Sequence, residues 1–444
     1  MKNVKSSFGP MNVLFFLFLA VGILIASGSS SVSMKEVSEQ SFSAAKNAVN
    51  LALGLIGIMA FWLGMMKILE SAGVIRSIAK FISPLFRRLF PDVPKNHPAL
   101  GAMVLNVSAN VFGLGNAATP FGIRAMEQLQ RLNKNKDVAT HAMCLFLAIN
   151  TSGLAVLPLG VIGVRAAAGA NNPAGIWIPT LLATLGSTLV AIISCILLRR
   201  YDSFGEDTVS VFKTDELSEE ESKSDQIDCD NEVSKGTFLM KAVSLTVFML
   251  FCFFLLHKIC IHTDPASFIR DEFASYWLMP ALILLILCYG LYRGVHLYDV
   301  AVEGAKDGFQ VAVRIIPFLV IVLVSIGIFR VSGALDFIGS VLSPITMVIG
   351  LSPEVIPMAL IRPLSGTGAF ALMSEIIQQD PNSYSAFVAS VLMGSTETTL
   401  YVVTVYFGSV GIVKYRYAIL CGLMADFAGI VLSGFLSLWW YGLG

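Results

Sequence analysis

Residues 45–84 read AKNAVNLALGLIGIMAFWLGMMKILESAGVIRSIAKFISP, and residues 305–344 read AKDGFQVAVRIIPFLVIVLVSIGIFRVSGALDFIGSVLSP. Laid together without a gap, the stretches share ten of forty positions, among them Ala45/Ala305, Lys46/Lys306, Gly73/Gly333 and the pairs Ser83-Pro84 and Ser343-Pro344. Apolar letters inflate such scores in hydrophobic sequence, but Lys, Gly and Ser-Pro at matched places are not hydropathy artefacts. The chain therefore reads as two related halves. Their basic residues differ: 67–95 holds Lys67, Arg76, Lys80, Arg87, Arg88 and Lys95, whereas 327–355 holds only Arg330. Lys and Arg gather on the inner side of short membrane loops, so the same piece is expected inside in one copy and outside in the other. Arg199-Arg200 and Lys414 with Arg416 fall on the inner side of the same topology. An inverted repeat follows, with an extra span near 238–256 or 276–292 supplying the odd number of crossings that inversion needs.

Composition requires the membrane that this topology assumes. Of 444 residues 55% are hydrophobic and 14% charged, with a mean hydropathy of +0.75. A water-soluble globule cannot carry so much apolar surface. Runs of about 20 apolar residues must close their own backbone hydrogen bonds in lipid, which makes them helices. Spans are expected near 12–29, 48–69, 140–164, 176–198, 238–256, 276–292, 309–329, 384–410 and 417–440, nine in all, giving an all-α polytopic fold. The first follows Lys2 and Lys5 and has the shape of a signal peptide too; an uncleaved span is expected. Segments 99–120 and 356–375 are apolar but rich in Gly, Pro, Asn, Ser and Thr, which suits re-entrant or broken helices.

From Asp202 to Gly236 the chain turns polar, with twelve acidic and three basic residues. Such a segment is expected to be a disordered linker. It separates a first membrane half, 1–200, from a second, 237–444, with the linker at 201–236. Net charge is zero, and without a basic stripe no nucleic acid is expected as partner. Cys144, Cys195, Cys252, Cys288 and Cys421 sit in apolar runs and read as small fillers. His257, Cys260 and His262 lie close together, but no second cluster completes a metal site, so no metal is expected.

Polar groups inside apolar segments fall in three places. Asn106-Val-Ser108-Ala-Asn110 precedes Gly113-Leu-Gly115-Asn116-Ala-Ala-Thr119-Pro120. Arg362-Pro363-Leu-Ser365-Gly366-Thr367-Gly368 lies at the matching point of the other half. Two broken segments in corresponding positions point to a transport site, since exposed carbonyls, amides and hydroxyls replace the water of an ion or solute. The bland alternative is close helix packing through small residues. The third place is Gly394-Ser395-Thr396-Glu397-Thr398-Thr399, with a weaker counterpart at Asn150-Thr151-Ser152-Gly153. A carboxylate at that depth costs several kcal/mol unless protonated or paired. Glu397 is thus the leading functional candidate and Asp426 in the last span the second; the two could form a proton or cation relay, or one could pair with Arg362. The alternative is a structural ion pair. Candidate binding residues are therefore Asn106, Asn110, Asn116, Thr119, Asn150, Arg362, Ser365, Thr367, Ser395, Thr396, Glu397, Thr398 and Asp426. Arg124, Glu127, Arg165, Arg330 and Glu375 lie near segment ends and are expected to anchor at the interface.

No G-x-S-x-G, P-loop or H-E-x-x-H occurs, so the chain is expected to be neither an enzyme nor a cofactor carrier. Asn106–Gln130, reading NVSANVFGLGNAATPFGIRAMEQLQ, and Phe90-Pro-Asp-Val-Pro94 resemble the bacterial spore maturation protein A family. Glu303-Gly-Ala-Lys-Asp-Gly-Phe309, Arg362–Gly368, Gly394–Thr399 and Tyr406-Phe-Gly-Ser-Val-Gly-Ile412 resemble the spore maturation protein B family. The resemblance covers nearly everything outside the linker and 238–292. It implies a fusion of the two, each with a nucleoside-recognition or gate domain, in a bacterial cytoplasmic (inner) membrane. In spore formers such proteins are associated with dehydration of the spore core.

A transporter with a midplane site is expected, coupled through Glu397. The partners would be the lipid bilayer, a small solute and a coupling ion, proton or sodium, with a homo-oligomer left open. A membrane scaffold for envelope-building enzymes is the alternative, and a passive channel would need a continuous polar pore.

Overall fold

The computed structural model describes residues 10–28, 32–94, 97–111, 115–201, 237–261, 277–334 and 348–441, with isolated positions between 334 and 348. The linker expected at 201–236 falls outside the described residues beyond Tyr201, and so does His262 of the His/Cys trio. Among the described residues the regular structure is helical, without a β-strand, and no group of three His, Cys, Asp or Glu residues could hold a metal.

The first half runs α1 (Pro10–Gly28), α2 (Met34–Ser71), α3 (Val74–Leu89), α4 (Pro98–Val111), α5 (Gly115–Leu132), α6 (His141–Thr151), α7 (Leu159–Ala167) and α8 (Trp177–Arg199). Two helices, α9 (Phe238–Ile261) and α10 (Leu278–Tyr292), stand between the halves. The second half runs α11 (Leu297–Val331), α12 (Ile356–Ile361), α13 (Gly366–Gln379), α14 (Tyr384–Ser395), α15 (Thr399–Ser409) and α16 (Ala418–Tyr441). Long helix, folded-back hairpin, broken helix and long helix thus occur twice in the same order. Five helical segments are long and apolar enough to cross a bilayer: Met34–Ser71, Pro173–Arg199, Phe238–Ile261, Tyr384–Ser409 and Ala418–Tyr441. The chain is a multi-pass, all-α membrane protein.

The inversion is visible where α2 meets α11. A Cβ built on Gly304 would stand 2.6 Å from Lys67 Cβ, and one on Gly327 would stand 3.3 Å from Ala44 Cβ, so the helices run antiparallel. The sequence alignment sets the halves 305 − 45 = 260 residues apart. Adding 260 carries Ala44 to position 304 and Lys67 to 327. The two contacts are one contact seen twice, exchanged by a twofold axis. Glycine allows this approach in lipid, where helices associate through close backbone packing. Both helices then end alike: Ala72 and Ser332 close them in right-handed conformation, and Gly73 (φ 78°) and Gly333 (φ 80°) make the left-handed turn that a side chain would strain.

Two of the expected spans are interrupted. Hydropathy gave 140–164 and 384–410 as one span each, but each is two short helices: Gly153 (φ 61°) and Pro158 break the first, and the extended residues 396–398 break the second. The expected spans 238–256 and 276–292 fall on α9 and α10, which pack antiparallel, with Ser244 Oγ donating to Cys288 O at 2.6 Å and the Phe251 ring against Trp277.

The two largest apolar cores each borrow from the other half. Around α4–α6 pack Val402, Val403, Tyr406 and Phe407 of α15. Around α12–α14 pack Val161, Ile162 and Val164 of α7. The far piece of each broken helix therefore crosses the twofold axis, which brings both breaks to the centre of the molecule.

Candidate solute site

Each break is tied to the hairpin of its own half by a backbone hydrogen bond. Val156 N donates to Val111 O at 2.8 Å in the first half, and Leu400 N donates to Pro363 O at 3.1 Å in the second. Between the halves, Glu397 N donates to Thr151 O at 2.9 Å. Without these partners the freed amides and carbonyls would be costly in hydrocarbon. Thr184 Oγ1 serves the first break in the same way, donating to Gly153 O at 2.8 Å.

In the second break Thr396 (φ −140°, ψ 165°) and Thr398 (φ −91°, ψ 96°) are extended, so Thr396-Glu397-Thr398 forms a short extended strand between α14 and α15, unpaired and so no part of a β-sheet. The Met393 and Thr396 carbonyls lack helical donors, and Arg362 supplies them. This arginine, 2% exposed, donates through Nη1 to Thr398 Oγ1 at 3.2 Å and through Nη2 to Met393 O at 3.1 Å and to Thr396 O. Three donations from a planar cation to one break make it a cap for a half-helix.

Glu397, at the middle of the strand, is exposed and lines a cavity of about 330 Å³. Its walls are Met59, Trp62 and Met66 of α2, Gly153 to Val161 of the first break, and Arg362, Gly366 and Phe370 at the second hairpin. Gly366 is the first residue of α13, where the helix dipole and unbonded amides favour negative charge; Ser365 caps this end by accepting from Gly368 N at 3.1 Å. The cavity thus joins an unpaired carboxylate, a cationic wall, a helix N-terminus and two aromatic rings. A small polar solute with a flat ring and hydrogen-bond donors fits that chemistry. An apolar chamber of about 410 Å³, walled by α9 and α10, shares Met66, Leu157 and Leu159 with it.

The predicted residues do not converge on one point. Arg362, Thr396 and Glu397 line the cavity, with Ser365, Thr367 and Thr398 beside it. Asn106, Asn110 and Asn150 form a second cluster. Asn110 Nδ2 donates to Asn150 Oδ1 at 2.9 Å, Asn106 Nδ2 donates to Ala118 O at 2.8 Å and to Tyr406 OH at 3.0 Å, and Tyr406 OH donates to Asn150 Oδ1 at 3.3 Å. Behind the second break, Asp426 is 1% exposed and accepts from Thr399 Oγ1 at 2.6 Å. Ser395 is turned back onto Val391 O. Thr119 is half-buried in α5, and the side chain of Asn116 lies outside the described residues.

Among the described residues neither Glu397 nor Asp426 forms an ion pair with Arg362. Of the expected anchors, Arg330 and Glu375 pair at 2.9 Å. Arg165 is instead 3% exposed and holds Ser390 Oγ at 3.3 Å and Asn172 O at 3.4 Å. Trp62, Phe370 and Tyr406 were not predicted as site residues. Aromatic rings on apolar helices carry no linear mark that separates a cavity wall from core or lipid contact.

A family model described as nucleoside recognition matches residues 52–168 and 312–413, one segment in each half. Spore maturation protein A of Bacillus subtilis (strain 168) is 42% identical over 183 residues, 41% of this chain and 92% of that protein. Spore maturation protein B of the same organism is 50% identical over 160 residues, 36% of this chain and 90% of that protein. The two relatives cover different parts of the chain. No solved structure matches.

Proposed function

We propose, from a chain that belongs to the spore maturation protein family with nucleoside-recognition segments in both halves, that this membrane protein is a secondary transporter of a small polar solute. The observation that carries this reading is the Glu397 carboxylate facing a cavity built from both breaks. A packing role would bury or pair that acid, since an unpaired charge at membrane depth is expensive. The inverted halves offer two equivalent arrangements, and rocking one repeat against the other would open the cavity to either side in turn. Glu397 would couple the cycle by taking a proton or holding a cation, and the bacterial inner membrane would be its place of work.

Purified protein would be screened by thermal unfolding against nucleosides first, because the matching family is described by that word, then amino acids and small carboxylic acids. A solute that binds the folded form raises Tm by mass action. The expected result is a saturable rise with one solute class, lost in Glu397→Gln. No shift with any class would favour a non-transporting scaffold.

A further inference from the structure

Asp426 sits on the face of α16 turned toward the second break. Its Oδ2 accepts from Thr399, while its Oδ1 is buried with no hydrogen-bond partner. Thr396 Oγ1, on a residue 2% exposed, is also buried without one. Glycines one turn to either side of Asp426 let these oxygens approach. A Cβ on Gly422 would stand 3.0 Å from Thr399 Oγ1 and 3.3 Å from Thr151 Oγ1. A Cβ on Gly429 would stand 3.4 Å from Ser395 O and against Thr396 Cγ2. The Thr399 and Thr151 hydroxyls thus gather on the Gly422 side of Asp426, and the Ser395 carbonyl lies on its Gly429 side.

Charge gives a second, independent reason. Arg362 is a single guanidinium beside two acids, Glu397 and Asp426, so the group is one positive charge short. Arg165, the other arginine buried at this level of exposure, is held away at Ser390 and Asn172. A buried carboxylate with a free oxygen in a membrane interior must be neutralised by a proton or by a cation, and a comparison of salts separates the two.

We propose that Asp426, with its free Oδ1 and the neighbouring Thr399 and Thr151 hydroxyls, binds a monovalent alkali cation, sodium above all. Hard oxygen donors with one net carboxylate charge suit such an ion, and soft or divalent metals would need ligands that are absent from this set. The site lies behind the strand that forms the solute cavity: Thr399 holds Asp426, and its neighbour Thr398 holds Arg362. An ion here would fix the strand and with it the cavity wall, which deepens the transport reading and rests on it only for the site's purpose.

The test is thermal unfolding of purified full-length protein in sodium, potassium or choline chloride at equal ionic strength and pH, with no solute added. The expected result is a saturable rise in Tm specific to sodium, lost in Asp426→Asn. Equal Tm in all three salts, or a sodium effect that survives Asp426→Asn, overturns the site. Where Asp426→Asn does not fold, Thr399→Val decides. Loss of one ligand is expected to weaken apparent sodium affinity by about tenfold or more, and unchanged affinity overturns the proposal. Failure here leaves the solute-induced shift untouched, so the two readings fail separately.

Discussion

The two halves join hairpin to broken helix at equivalent places, with different chemistry. In the first half the junction is neutral: Asn110 and Asn150 bond side chain to side chain, and Tyr406 from the other half completes the network. In the second half a buried arginine does the same work, with three donations into the strand Thr396–Thr398 and the end of α14. The backbone ties, Val156 to Val111 and Leu400 to Pro363, are alike. A repeated fold therefore need not repeat its polar chemistry. The neutral junction can act as a fixed hinge. The charged one, with two acids nearby, responds to whatever ion or solute changes their balance.

Removing the arginine should have the largest effect. Arg362→Met leaves two carbonyls and a hydroxyl without donors and Glu397 and Asp426 without a counter-charge. A loss of about 3–5 kcal/mol is expected, as for breaking a buried charged group, read from thermal unfolding in detergent. A loss under about 1 kcal/mol would mean the arginine is no cap.

The twofold contact can be broken asymmetrically. Gly304→Ala would push a methyl to 2.6 Å from Lys67 Cβ, whereas Gly327→Ala meets Ala44 at 3.3 Å. The first is expected to cost about 1–3 kcal/mol, as overpacking does, and the second clearly less. Equal costs would show that α2 and α11 do not meet as described.

The neutral junction should be more forgiving. Asn150→Leu removes the acceptor of Asn110 and Tyr406 and is expected to cost about 1–2 kcal/mol. Tyr406→Phe, which deletes one hydroxyl, should cost about 0.6 kcal/mol, the usual scale between membrane helices. The order Arg362, Asn150, Tyr406 sharpens the comparison, and a reversed order breaks it.

Much of the scaffold was legible in the sequence, for identifiable reasons. Lys, Gly and Ser-Pro at matched positions exposed the repeat, and Gly73 and Gly333 proved to be the turns that such conservation of type requires. Pro363 and Gly366 marked the second hairpin, whereas Pro120 lies inside α5 and Gly113 falls outside the described residues. The break at 152–158 was hidden because Leu154, Ala155, Val156 and Leu157 keep hydropathy high across it. The side-chain pairings were hidden for a different reason. Arg362, Glu397 and Asp426 are recognisable as misplaced charges, but only the fold shows that the arginine turns to carbonyls and leaves both acids unpaired.

The most direct test of the central claim is uptake into proteoliposomes of the solute that raises Tm most, by wild type and Glu397→Gln side by side. The expected result is coupled uptake by the wild type and none by Glu397→Gln, with both proteins folded. Full uptake by Glu397→Gln would contradict a transport site centred on this carboxylate.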